Sequence, residues 1–151
     1  MRYLIGVGTY TAGDDAIGLR IVEAIAEAGL DRGFRAIDLS SNSLNLVAYL
    51  TPETEAILIV DSAKMGLAPG EVRCFAPGEA ETRKPSAGLS THEGDVMKVL
   101  ELARAMGFPM PRLRIMGIEP DTIESRTGLS ATLEARTAGY VRAAIDELMS
   151  M

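Results

Sequence analysis

Four side chains in this sequence are of types that do chemistry and stand where a fold can gather them: Asp14, Asp15, Asp61 and His92. The first two close the stretch "GVGTYTAGDDAIG" at residues 6–18, whose glycines at 6, 8 and 13 resemble an anion-binding loop. That motif fails on inspection. A dinucleotide fingerprint needs glycine at Thr11, and a nucleotide P-loop needs Lys and Ser or Thr after Gly13, where this chain carries two acids. The loop therefore presents negative charge at the position that should touch phosphate. One Asp is accounted for as an N-cap that also interacts well with the positive end of a helix dipole. Capping needs only one, so Asp14 is the structural candidate and Asp15 the functional one.

Asp61 ends the apolar run "AILIV". His92, the only histidine, lies two residues after Ser90 at the start of a helical pattern. The amino end of a helix disfavours an imidazolium and favours the neutral ring, the form that binds metal. One nitrogen and two carboxylates make an open site for a first-row divalent cation, with positions left for water or a substrate group. The same three residues can instead form an acid/base pair with an orienting histidine. A zinc hydrolase that holds its own metal is disfavoured by the lack of H-E-x-x-H and of a second histidine. Cys74 falls within a predicted strand, which argues against a cysteine triad.

The elements that must position these residues follow from periodicity. "YLIGV" (3–7), "FRAIDL" (34–39), "AILIVD" (56–61), "EVRCF" (71–75) and "RLRIMGIEP" (112–120) read as strands. The third is continuously apolar and branched, as in a central parallel strand buried on both faces. Ile17, Ile21, Ile25 and Ala28 recur at helical spacing from Asp15 to a stop at Gly29. "LNLVAYL" (44–50) is a short helical candidate. Ser90 and Glu93 stand in capping-box spacing ahead of Val96, Leu100 and Ala103, with stops at Gly107 and Pro109. Leu133, Val141, Ile145 and Leu148 mark a terminal helix, and the polar stretch 76–88 reads as a loop able to act as a flap. Alternating strands and helices predict an α/β fold, a single three-layer domain over residues 1–151 with a mainly parallel twisted sheet and helices on both faces. Ligands in such sheets bind beyond the carboxyl ends of the strands, where Asp15, Asp61 and His92 are expected to converge.

Composition narrows the function classes. The chain of 151 residues is 47% apolar and 24% charged, ordinary for a globular domain. A net charge of −6 without a basic cluster argues against nucleic acid. A lone cysteine builds neither an internal disulfide nor a thiolate cluster, and fits a reducing cytoplasmic setting. The opening residues resemble neither a signal peptide nor a membrane span.

"GVGTYTAGDDAIGLRIVEAI", "LIVDSA", "STHEGDV" and "GIEPDTIESRTGLSATLEA", in that order along nearly the whole chain, resemble the signatures of the hydrogenase maturation endopeptidases. The resemblance implies an α/β peptidase of the cytoplasm that removes a carboxy-terminal extension from the precursor large subunit of a nickel-iron hydrogenase after nickel insertion. It places the acidic residue of the first signature on Asp15, the strand-end aspartate on Asp61 and the histidine on His92. Together these would recognise nickel supplied by the precursor, with no permanently bound organic cofactor. Cleavage would use a metal-polarised carbonyl, a metal-activated water, or an aspartate as general base. Two positions depart from the family pattern: Thr9 stands where Asn is common, and Ala16 where Gly is common. A non-enzymatic metal- or ligand-binding protein using the same acidic cleft is the alternative from another class.

Overall fold

The structure, a computed structural model, describes residues 1–78 and 91–151, and for residues 91–94 it describes the helical backbone alone. Strand β1 spans Arg2–Val7, β2 Arg35–Ser40, β3 Ala56–Ser62, β4 Val72–Phe75 and β5 Arg112–Ile118. Helix α1 spans Ile17–Glu27, α2 Thr91–Ala105 and α3 Ala131–Met149. The sheet order is β2-β1-β3-β5-β4. All pairings are parallel except the edge pair β4–β5, which is antiparallel. The segment between β3 and β4 is too short for a crossover helix, which takes about a dozen residues, so β4 runs back as an antiparallel edge.

Two cores lie on opposite faces of this sheet, and strand alternation explains the division. Leu4, Leu58, Val60, Met116 and Ile118 face α1 and α3, where they pack with Ile17, Ile21, Ile25, Leu133, Val141 and Leu148. Ile5, Ile57, Ile59 and Ile115 face the other way, onto α2 and the segment before β3, with Leu46, Val96, Met97 and Leu100. Every residue of β3 is buried, as its unbroken apolar run requires. The expected three-layer α/β architecture is therefore present.

Several local expectations change. The helix predicted from Asp15 divides into a 3-10 turn, Gly13–Ala16, followed by α1, and Ala28 is exposed beyond the end of α1. The stop at Gly29 holds, with the Leu30 N–H donating back to the Ile25 carbonyl. Residues Ser43–Tyr49 form a 3-10 helix anchored by buried Leu46. Pro77 and Gly78 are helical, where a loop was expected. The rest of the expected flap and the Ser90 cap lie outside the described residues, as does the Glu93 side chain.

Candidate active site

The glycine-rich opening is a packing device that stacks one turn of chain on the end of β1. At Gly8 the backbone φ is +149°, and a Cβ there would lie 2.0 Å from the Asp15 carbonyl oxygen. Only glycine permits residues 8 and 15 to meet this closely. Gly18, in the first turn of α1, makes a second close approach: its Cβ would lie 2.2 Å from the Val60 carbonyl and 2.8 Å from that of Val7. The start of α1 thus sits over the carboxyl ends of β1 and β3, and carries Asp15 there. Ala16, one of the departures from the family pattern, is fully buried in this turn.

Asp14 and Asp15 are both buried, at 0% and 4% exposure, yet neither caps its helix. The N-cap role expected for Asp14 is corrected here. Its Oδ2 accepts from the Asp121 N–H at 2.8 Å and the Thr122 N–H at 3.1 Å, and its Oδ1 from the Ser130 N–H at 2.7 Å. The chain adds backbone bonds from Asp14 N–H to the Thr122 carbonyl and from Gly13 N–H to the Arg126 carbonyl. Asp14 is structural, but it serves the segment 121–130 far away in sequence. A buried carboxylate is the group best suited to gather N–H donors that a loop leaves unmatched.

Asp15 turns instead toward β3. The Ser62 hydroxyl donates to Asp15 Oδ1 at 2.6 Å, and the Ser62 N–H donates to Asp61 Oδ1 at 2.8 Å. Asp61 and Ser62 are 1% and 0% exposed. Ser62, at the carboxyl end of β3, therefore bonds to both carboxylates, to Asp15 through its hydroxyl and to Asp61 through its N–H. Asp61 occupies the strand position that alternates with Ile57 and Ile59, on the face covered by α2. The backbone of His92 lies in the first turn of that helix; its side chain lies outside the described residues. Among the described residues, no three His, Cys, Asp or Glu side chains are grouped to hold a metal ion.

Two buried polar residues at these strand ends were not singled out from sequence. Ser62 follows Asp61 in "LIVDSA", and its signal is a hydroxyl where alternation calls for another apolar residue after Leu58 and Val60. Glu119, at the end of β5, is 8% exposed. Its Oε1 accepts from the N–H groups of Met65 at 2.7 Å and Leu67 at 3.1 Å, which shapes the loop leaving β3. Its signal is an acid directly after a buried strand, the same as that of Asp61.

Further out, the Tyr10 hydroxyl donates to Asp38 Oδ2 at 2.7 Å, and burial together with that carboxylate pushes the phenol up to about 12. Cys74 is half-buried within β4, and burial pushes its thiol up to about 11. A thiol held in its neutral form at working pH is a poor nucleophile.

The family model described as hydrogenase maturation protease matches residues 19–147. The chain belongs to this family. A hydrogenase expression/formation protein, HupD, from Rhodobacter capsulatus is 27% identical over 145 residues, covering 95% of this chain and 67% of the relative. The hydrogenase 2 maturation protease of Escherichia coli strain K12 is 27% identical over 137 residues, covering 89% of this chain and 83% of the relative. Among solved structures, the hydrogenase maturating endopeptidase HybD from E. coli superimposes with a TM-score of 0.82 at 25% identity, covering 99% of this chain and 93% of the other. The [NiFe] hydrogenase maturation protease HybD from Thermococcus kodakarensis gives 0.80 at 25% identity, covering 98% and 99%. The protein is thus an endopeptidase of the hydrogenase maturation type, and among its described residues no helix is long and apolar enough to cross a membrane.

Proposed function

We propose that this maturation protease removes the carboxy-terminal extension of the precursor large subunit of a nickel-iron hydrogenase, in the cytoplasm and after nickel insertion. In this reading Asp15, Asp61 and His92 recognise the nickel that the precursor brings. The observation that carries it is that two buried carboxylates each accept a hydrogen bond from Ser62 at the carboxyl end of β3. Two carboxylates at one strand end suit a cation, and a substrate-borne ion supplies it only when insertion is complete. Specificity then comes from the metal as well as from the peptide.

Hydrolysis needs an acceptor for the proton of the attacking water and a polariser for the scissile carbonyl. A carboxylate supplies the first and nickel on the substrate the second. Water adds to the carbonyl carbon, the C–N bond breaks, and the departing amine takes up the proton. The test is to incubate the protein with nickel-loaded and nickel-free precursor and follow loss of the extension by mass spectrometry. Cleavage of the loaded form alone is expected. Cleavage of neither form overturns the assignment, and equal cleavage of both removes the role of nickel.

A further inference from the structure

We propose that Ser62 is a positioning residue for metal recognition, its hydroxyl fixing the orientation of the Asp15 carboxylate while its backbone fixes that of Asp61. This inference rests on the nickel-recognition reading given above and deepens it. On the α1 face of β3 the row Ala56, Leu58 and Val60 is apolar and fully buried, and the fold asks for nothing polar next in that row. The residue there is nevertheless a serine at 0% exposure, paired with Ile118 across the sheet. Burying a hydroxyl is unfavourable unless it finds a partner. Its partner is Asp15, at 2.6 Å across 47 residues of chain.

The terminal torsion of an aspartate is broad and nearly two-fold, so packing alone leaves the plane of the carboxylate poorly defined. A short donor on Oδ1 defines it. Because the N–H of the same residue holds Asp61 Oδ1 at 2.8 Å, one residue of the buried strand β3 bonds to both carboxylates. A metal site requires this kind of control of its ligands by outer partners, whose loss typically costs about 10–100-fold in metal affinity. Ser62→Ala removes the hydroxyl and leaves the N–H, so it separates the two functions: Asp15 loses this donor and Asp61 keeps the Ser62 N–H.

The experiment measures binding of nickel-loaded and nickel-free precursor to the full-length wild type, Ser62→Ala, Asp15→Asn and the double variant. Thermal melting checks that each is folded. Wild type is expected to prefer the loaded form. Ser62→Ala should lower that preference about tenfold by weakening the loaded complex only, and should add little in the Asp15→Asn background, because it acts through that residue. An unchanged preference in Ser62→Ala overturns the proposal. So does an equal loss for both precursor forms, which marks a merely structural hydroxyl, and so does full additivity in the double variant. A wild type that binds both forms alike overturns the nickel-recognition reading itself, and the role of Ser62 with it; that failure appears in the wild-type arm and is distinguishable from the others.

Discussion

Asp14 and Asp15 are adjacent, identical in type and both buried, yet they belong to two different regions of the molecule. Asp14 faces the segment 121–130, where its carboxylate accepts from three backbone N–H groups. Asp15 faces the end of β3 and meets a side-chain hydroxyl next to a second aspartate. The difference teaches how a charge is assigned to structure or to chemistry. Backbone donors from one loop tie a carboxylate into the fold, whereas a carboxylate bonded to a side-chain hydroxyl at a strand end is the one the proposed metal recognition uses.

The largest expected effect separates the two regions by activity. Asp15→Asn and Asp61→Asn should each reduce the single-turnover rate on nickel-loaded precursor by about 10²–10⁴-fold, the range for loss of a catalytic acid or base. Full activity in both would break the comparison at its chemical end. Asp14→Asn is expected to do the reverse. It sets an amide NH₂ against backbone donors and weakens charge-assisted bonds, for a loss of about 3 kcal/mol and a fall of roughly 6–12 °C in melting temperature. Amide exchange at Asp121, Thr122 and Ser130 should accelerate, while the folded fraction still cleaves. An Asp14 variant that melts like wild type but no longer cleaves would move Asp14 into the site.

Glu119→Ala sharpens the comparison with a second buried carboxylate of the Asp14 kind. It removes the acceptor for the Met65 and Leu67 N–H groups and should cost about 2 kcal/mol in denaturant unfolding, with a smaller effect on cleavage than Asp15→Asn. The smallest effect concerns Cys74. Cys74→Ser should leave cleavage unchanged. Because burial raises the thiol from 9.0 to about 11, the folded state keeps the proton more tightly than the unfolded chain. Its contribution to stability is therefore full below pH 9 and lost between pH 9 and 11. Alkylation at pH 8 should be about a hundredfold slower in the folded protein than after unfolding, and equal rates would refute the assignment.

Much of the fold was legible because its signals are local. The five strands appeared as apolar runs or short alternating segments, and α1 as Ile17, Ile21 and Ile25 at helical spacing, these three all buried. The place of Asp61 at the end of a buried strand was legible from "AILIV", and the choice of Asp14 as the structural member of the acidic pair agrees with its three backbone bonds. The 3-10 turn at Gly13–Ala16 was not, because the close approach of Gly8 to the Asp15 carbonyl that shapes it leaves only glycine as its trace. The work of Asp14 was equally hidden, since its partners lie more than a hundred residues away.

By itself the sequence determined the element types, the burial of β3 and the residue types available at the strand ends, since periodicity and charge are properties of neighbours along the chain. Only the tertiary structure decided which distant N–H groups Asp14 gathers and which donor meets Asp15. It also gave Ser62 its partner and made the glycines a close-packed seat for α1. Those outcomes depend on which donors face each carboxylate after folding, and hydrogen bonds between residues 47 to 116 positions apart leave no period in the chain.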